Sequence, residues 1–413
     1  MKWIGHVAQV VARYPDSPAV ICGGKRMTYA QLWKAAEREA DRLRRVEHVR
    51  EGQYYIQSCT QDIAYVVRFL ALHLIGAQSD ILFTTGSTGK PKAVLLSEQG
   101  LVANAENLIE AHGFHHELTF VVCGPLDHFG PWSKMLPVFM TGGTLYILDG
   151  LKDTGALLDA LASHGSATFL VPSAIRMLLQ FSRERLSSLA GCIEFIETGA
   201  APMATSDMEL LRAILPATRL YNTYASTETG IVCTYPFHLP NPIMPGCVGP
   251  AMRHSEVEIG EDGTIRVSGP MLMAGYLHEA ERGTLRLEPA ADRFVTSDLG
   301  FLDAAGNLHL TGRISDFINV GGLKLSPVEV EDAAMGIPCV ADCLCVPESH
   351  PMMGQVPKLL VVLREGAVFD KRAIARYLKE KLIETWKVPM RYEVVDEIRK
   401  TANGKKDRRS YHP

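Results

Sequence analysis

The sequence predicts an α/β protein: a large N-terminal α/β domain with parallel sheets plus a small β-rich part, then a small α+β C-terminal domain. Three observations carry that expectation. Between residues 101 and 312, apolar runs such as FVVCGPL, TLYIL, ATFLVP and IEFIETG alternate with stretches of helical period, the pattern of strands and helices laid in turn along the chain. Within it, residues 253–311 shift to short strands parted by glycine turns, as in VEIGEDGTIRVSG and LGFLDAAGNLHLTG. After GRISDFINVGG the pattern is mixed again, with VADCLCV and KLLVVL as strands and KRAIARYLKEKLIETW as a helix. The 413 residues exceed the roughly 250–300 at which a single core stops growing, so two domains are expected, 1–313 and 314–413.

Earlier in the chain, PAVICGGKRMTY reads as a short strand pair and QLWKAAEREADRL as a helix with apolar residues at helical spacing. YYIQS then reads as a strand, DIAYVVRFLALHLIGA as a helix, and ILFTTG as a buried strand ending in a glycine turn. Strand, helix, strand implies parallel pairing there too. There is no internal repeat and no low-complexity segment.

Composition narrows the function classes. With 47% hydrophobic and 21% charged residues and no apolar run near the ~20 needed to cross a bilayer, a soluble globular protein without a membrane span is expected. The opening MKWIGHVAQVVARYPDS has no sustained apolar stretch or small-residue cleavage site, which makes the cytoplasm the default. Nine irregularly spaced cysteines read as reduced thiols, and Cys343 and Cys345 as two positions of one strand rather than a metal knuckle. A net charge of −4 gives no basic footprint for nucleic acid, so the expected partners are small molecules or a protein.

The strongest local signal is Thr84-Thr85-Gly86-Ser87-Thr88-Gly89-Lys90-Pro91-Lys92. Small residues let the backbone approach a polyphosphate, hydroxyls and amides cradle it, and lysines balance its charge. It is not a Walker loop, because Thr84 stands where that pattern requires glycine. A second cluster, Tyr221-Asn222-Thr223-Tyr224-Ala225-Ser226-Thr227-Glu228, supplies aromatic surface for a purine, a hydroxyl, and a carboxylate suited to a magnesium ion shared with phosphate. Alone, that second cluster is equally the composition of a solvated turn.

With these in place the chain resembles the superfamily of acyl-CoA synthetases, peptide-synthetase adenylation domains and luciferases, over nearly its whole length and in order. TTGSTGKPKAV resembles the family's phosphate loop; GAAP at 199–202 and YNTYASTE at 221–228 resemble its adenine and magnesium segments. GTIRVSGPMLMAGYL, TSDLG with Asp298, GRISDFINVGGLKLSPVEVE with Arg313, and TANGKKDR with Lys405 complete the series. The resemblance implies AMP-forming activation of a carboxylic acid by ATP with Mg²⁺, then acyl transfer to the pantetheine thiol of CoA or of an acyl carrier protein. It implies that Thr84, Thr85, Gly86, Ser87, Thr88, Gly89 and Lys92 hold the pyrophosphate side of ATP. Gly199, Ala200, Ala201, Asn222 and Tyr224 would border the nucleotide, Thr227 would touch the α-phosphate, and Glu228 would bind Mg²⁺. Asp298 would chelate the ribose hydroxyls, a diol that a carboxylate can accept from twice, assisted by Arg313. Lys405, in its glycine turn, would swing onto the reacting carboxylate and phosphate, where spreading negative charge needs a cation.

The chain departs from the family in places. Between Gly76-Ala77 and the loop, at about residues 78–80, a much longer family stretch is missing; it is scaffold, and a sheet edge left open there leaves room for a homodimer. Ser315, followed by Asp316, stands where the family places its hinge Asp or Lys, and Ala93 stands where a glycine commonly closes the loop. Pro125-Leu126-Asp127-His128-Phe129-Gly130 resembles the segment whose histidine lies beside the acyl pocket, so Asp127, His128, Phe129 and Gly199 are the expected acid-binding residues and an aryl or fatty acid the expected substrate. An amino-acid activator loading a peptidyl carrier protein is the alternative, with Asp127 as partner of the substrate ammonium. A catalytically inactive nucleotide or acyl-AMP binding protein is the alternative of another class. Gly321 and Gly322, in the thiol-tunnel segment, suit a pantetheine arm from either CoA or a carrier.

Overall fold

The computed structural model describes residues 1–85, 91–151, 153–163, 165–279, 285–400 and 406–411. Its centre is an eight-stranded sheet in the order 230–236, 219–226, 193–199, 166–170, 119–122, 144–147, 18–22 and 25–28. The inner neighbours from 219–226 to 18–22 pair in parallel, and the outermost strand at each end is antiparallel. Parallel strands are covered on both faces, which is why 166–170 is buried at every position. One core contains Phe120, Phe139, Phe195 and Trp132, and the other Leu157, Ile175, Leu178 and Leu211. Each such fully buried side chain stabilises the fold by roughly 1.5–3 kcal/mol before entropy is counted.

Local chemistry sets the helices around this sheet. Thr28 and Gln31 form a reciprocal capping box that starts Tyr29–Val46, whose inner stripe is Tyr29, Leu32, Ala36, Ala40 and Leu43. Asp62 caps Ile63–Ile75, and Gly76, at φ +117°, ends it in a left-handed turn. Ser97 caps Glu98–His112, whose buried Asn104 and Asn107 tie it to the strand that begins at Gly230 through Ile231.

Two smaller antiparallel sheets complete the large domain: 247–249, 308–313, 293–302, 264–268 and 256–259, and separately 285–289, 275–279, 91–97 and 79–85. The small domain carries its own sheet of strands 323–325, 318–320, 354–363 and 340–350, with 391–394 added in parallel to 354–363. Helix Pro327–Met335 packs on it. The expected α/β class, with a β-rich part and a smaller C-terminal domain, is the observed one.

Two expectations fail. YYIQS is not a strand: residues 53–60 have no regular structure, and Tyr54 and Ile56 are 54% and 93% exposed. ILFTTG does not join a parallel sheet either. Ser79–Thr85 is the edge strand of an antiparallel sheet, running in register against Pro91–Ser97 from Ser79↔Ser97 to Thr85↔Pro91, with Phe83 67% exposed. A short apolar run does not say which sheet it joins, and here the nearest pairing partner in sequence wins over a crossover. Cys343 and Cys345 lie two apart on one strand, both buried in the small-domain core, where burial raises both thiols. Ala93 sits inside strand Pro91–Ser97, where no positive φ is asked of it.

Candidate active site

The candidate residues converge on the strand Arg219–Ser226 and the turn that follows. Tyr224, 8% exposed, donates its hydroxyl to Asp298 Oδ2 at 2.8 Å, and Arg313 Nε donates to Asp298 Oδ1 at 2.7 Å. Asp298 and Arg313 are direct cross-strand partners on strands Arg293–Leu302 and Leu308–Arg313, so the ladder itself sets their approach. Burial, with the Asp298 charge next to it, pushes the Tyr224 phenol well above its ordinary range and keeps it a donor. Each Asp298 oxygen thus has one protein donor and a remaining lone pair for a ligand hydroxyl.

At the end of the strand, Ser226 and Thr229 exchange side-chain and backbone hydrogen bonds that close a tight turn carrying Thr227 and Glu228. Tyr276 donates to Glu228 Oε1 at 3.2 Å, while Lys92 Nζ lies 4.9 Å from the Tyr276 ring centre. Lys92 pairs with Thr84 in the stem of the hairpin, so Tyr276 joins the phosphate-loop stem to the turn. Thr84 Oγ1 is buried without a hydrogen-bond partner among the described residues, an acceptor and donor still to be satisfied. Thr85 belongs to the same strand. Gly86, Ser87, Thr88, Gly89 and Lys405 lie outside the described residues.

Gly199 pairs with Thr223, and a Cβ there would stand 2.6 Å from the Thr223 carbonyl oxygen, so only glycine lets the two strands close. Ala200 follows at φ +67°, a left-handed conformation costing a non-glycine residue about 1–2 kcal/mol, and Ala201 is half-buried beside it. Asn222 is turned to a structural use, donating to the Cys247 carbonyl at 3.2 Å.

On the acid side, Asp127 Oδ1 and His128 Nδ1 lie 2.6 Å apart, with the Asp127 side chain 57% exposed, and Phe129 begins the short helix Phe129–Ser133. A Cβ on Gly130 would meet the Phe169 ring at 3.0 Å, and one on Gly199 would meet it at 3.7 Å. Phe169 is therefore the wall shared by the 127–130 and 199–202 segments, and no motif pointed to it. Beneath it lie Lys134 and Glu197, both fully buried and 2.7 Å apart, with Lys134 Nζ 5.2 Å from the Phe169 ring centre. Burial lowers the lysine, raises the carboxyl, and drives His112, 3.5 Å from Glu197, well below its ordinary value. Lys134 at the head of KMLPVF, and Glu194 and Glu197 within the apolar run IEFIETG, were the one available sequence signal for that pair.

Among the described residues no group of three or more His, Cys, Asp and Glu is placed to hold a metal. A single carboxylate, Glu228, linked through Tyr276 to Lys92 of the hairpin stem, nonetheless fits Mg²⁺, which keeps waters and leans on substrate phosphates rather than on a protein cage.

Comparison with known proteins follows this geometry. Residues 80–277 match the model of the AMP-binding enzyme family, and residues 329–405 match that of the AMP-binding enzyme C-terminal domain. The chain is 28% identical over 346 residues to 4-coumarate–CoA ligase 5 of Oryza sativa subsp. japonica, covering 78% of this chain and 63% of that one. It is also 28% identical over 345 residues to indoleacetate–CoA ligase of Aromatoleum aromaticum, covering 80% and 66%. The chain thus spans a little under two thirds of the length of these curated relatives. In fold it is similar to ATP-bound MatB from Rhodopseudomonas palustris, with TM-score 0.85 at 21% identity over 100% of this chain and 99% of that one. The anthranilate–CoA ligase AuaEII with anthranoyl-AMP gives 0.87 at 16% identity, over 99% and 96%.

Proposed function

We propose that this chain, which belongs to the AMP-binding enzymes, activates a carboxylic acid with ATP and passes the acyl group to a pantetheine thiol. A carboxylate oxygen attacks the α-phosphorus and the bond to pyrophosphate breaks. The thiol sulfur then attacks the acyl carbon and the bond to AMP breaks. Thr84, Ser87, Thr88 and Lys92 take the pyrophosphate side, Thr227 the α-phosphate, and Asp298 the ribose diol through its remaining lone pairs, steadied by Tyr224 and Arg313. When bound at Glu228, Mg²⁺ supplies charge to the phosphate oxygens. Lys405 supplies a cation to the in-line displacement.

The observation that supports this reading best is the Tyr224–Asp298–Arg313 corner, a carboxylate held by two donors with acceptor capacity to spare. The acid is read as aryl or fatty, without an α-amino group, since Asp127 is engaged by His128 and open to solvent. Burying an unpaired ammonium costs several kcal/mol, so discrimination of about a hundredfold against α-amino acids is expected. We further read 314–413 as a domain that turns about 313–316, with CoA or a carrier protein as acceptor, the cytoplasm as location, and pairing of two copies along the open edge of Ser79–Thr85 as a means of covering it.

Pyrophosphate release with benzoate, octanoate, phenylalanine and anthranilate, in the presence of CoA or carrier protein, tests this. Release with the first two, lowered about 10²-fold in Lys405→Ala, is the expected result on the scale of a lost transition-state donor. No release with any acid, or a preference for phenylalanine abolished by Asp127→Asn, defeats the reading.

A further inference from the structure

Arg176, on helix Pro172–Phe181 and 9% exposed, donates from Nε (2.9 Å) and Nη2 (2.7 Å) to Asp207 Oδ2 of helix Thr205–Ile214. Its Nη1 reaches across to the small domain and meets Asp342 Oδ1, on strand Val340–His350, at 2.6 Å. The same Asp342 oxygen receives Lys406 Nζ at 2.8 Å, and Lys406 also bonds the Cys343 carbonyl. Lys406 forms a β-bridge with Lys400, so the two ends of the segment that carries Lys405 are joined to each other and tied to Asp342. Close by, Thr205 N donates to Asp332 Oδ1 at 2.9 Å and Ala204 packs into the small-domain core.

We propose that Asp342 is a positioning residue for acyl-adenylate formation: held by Arg176 on one side and Lys406 on the other, it fixes Lys406, the neighbour of Lys405 in sequence, against the large domain and gives up that tie when the small domain turns. This rests on the role given to Lys405 above. The bridge is built to open. Arg176 keeps Asp207 within its own domain and Asp342 keeps Lys406 within its own, so separation leaves neither charge without a counter-ion. A buried pair with no such second partners leaves an uncompensated charge when it parts, and that resists motion. A bond that forms in one domain orientation and is harmlessly lost in another suits a protein whose two half-reactions share one acyl site.

The test uses the full chain with Asp342→Asn, which is nearly isosteric and leaves Arg176 on Asp207. Pyrophosphate release with an accepted acid falls roughly ten- to hundredfold, the scale of an ångström misplacement, while thioester formation from supplied acyl-adenylate stays within about twofold. Asp342→Glu recovers most of the rate. In a Lys405→Ala background Asp342→Asn adds no further loss, because both changes act through one ammonium. Equal falls in both half-reactions, additive losses in that background, or an unchanged rate in Asp342→Asn beside a slow Lys405→Ala each overturn the proposal. Normal adenylation in Lys405→Ala removes the reading of Lys405 itself, and the proposal with it.

Discussion

Lys134–Glu197 is a fully buried ion pair and Arg176–Asp342 a part-buried one, and they differ further in what remains after separation. Lys134 has Glu197 as its carboxylate, in a pocket walled by Phe169 and His112. Arg176 and Asp342 each keep a second partner on their own side of the domain boundary. Burial sets the cost of a bare charge, but the arrangement of second partners decides whether a pair is a fixed support or a joint. Lys134–Glu197 lies beneath Phe169, and Arg176–Asp342 joins the large domain to the small one.

Substitution of one partner at a time grades this difference. Lys134→Met strands the Glu197 carboxylate, and a loss of about 3–5 kcal/mol of stability is expected by denaturant titration, with much of it recovered when Glu197→Gln is added. If the single variant loses under 1 kcal/mol, the pair is not a support. Arg176→Ala leaves Asp207 without its arginine but Asp342 still on Lys406, and a smaller loss of about 1–3 kcal/mol is expected. An effect as large as that of Lys134→Met removes the distinction between the two pairs. Asp127→Asn is the exposed control: its bond to His128 is open to water, and a change below about 1 kcal/mol is expected in the same titration.

Acid sharpens the same contrast. Burial works against the Asp342 carboxylate, but Lys406 and Arg176 outweigh it and hold the group below its ordinary value. Its contribution is therefore present above the ordinary carboxylate range and lost as pH falls through the lowered folded value. The contact between domains, followed by limited proteolysis near 313–316, is expected to hold at neutral pH and to loosen only in acid. Loosening between pH 6 and 8 would assign the contact to another group.

The convergence of Tyr224, Asp298 and Arg313 was legible in the sequence because they sit in short, ordered segments: they were named from three separate motifs, and the fold brings them within hydrogen-bond distance. The α/β class was legible from alternation of apolar runs with helical period. What was not legible depended on partners distant in the chain. Residues 53–60 have strand-like composition but no neighbour to pair with, and Ser79–Thr85 looked buried until its place at a sheet edge exposed Phe83. Phe169 carries no local signature, and Tyr276, although it lies inside GTIRVSGPMLMAGYL, was given no role there; each matters because two remote segments meet on it.

Under the proposed function, the hairpin formed by Ser79–Thr85 and Pro91–Ser97 bears on how nucleotide capture responds to the medium. Many phosphate loops lead straight into a helix, whose first-turn amides hydrogen-bond the anion directly. Here the loop leads into a strand, and the next helix starts only at Glu98. The proposed triphosphate site would then draw in part on exposed side-chain charge such as Lys92, which mobile ions screen over about 8 Å at 0.15 M salt. Under that reading the half-saturating ATP concentration climbs as potassium chloride is added, so that nucleotide capture would follow the ionic strength around the chain.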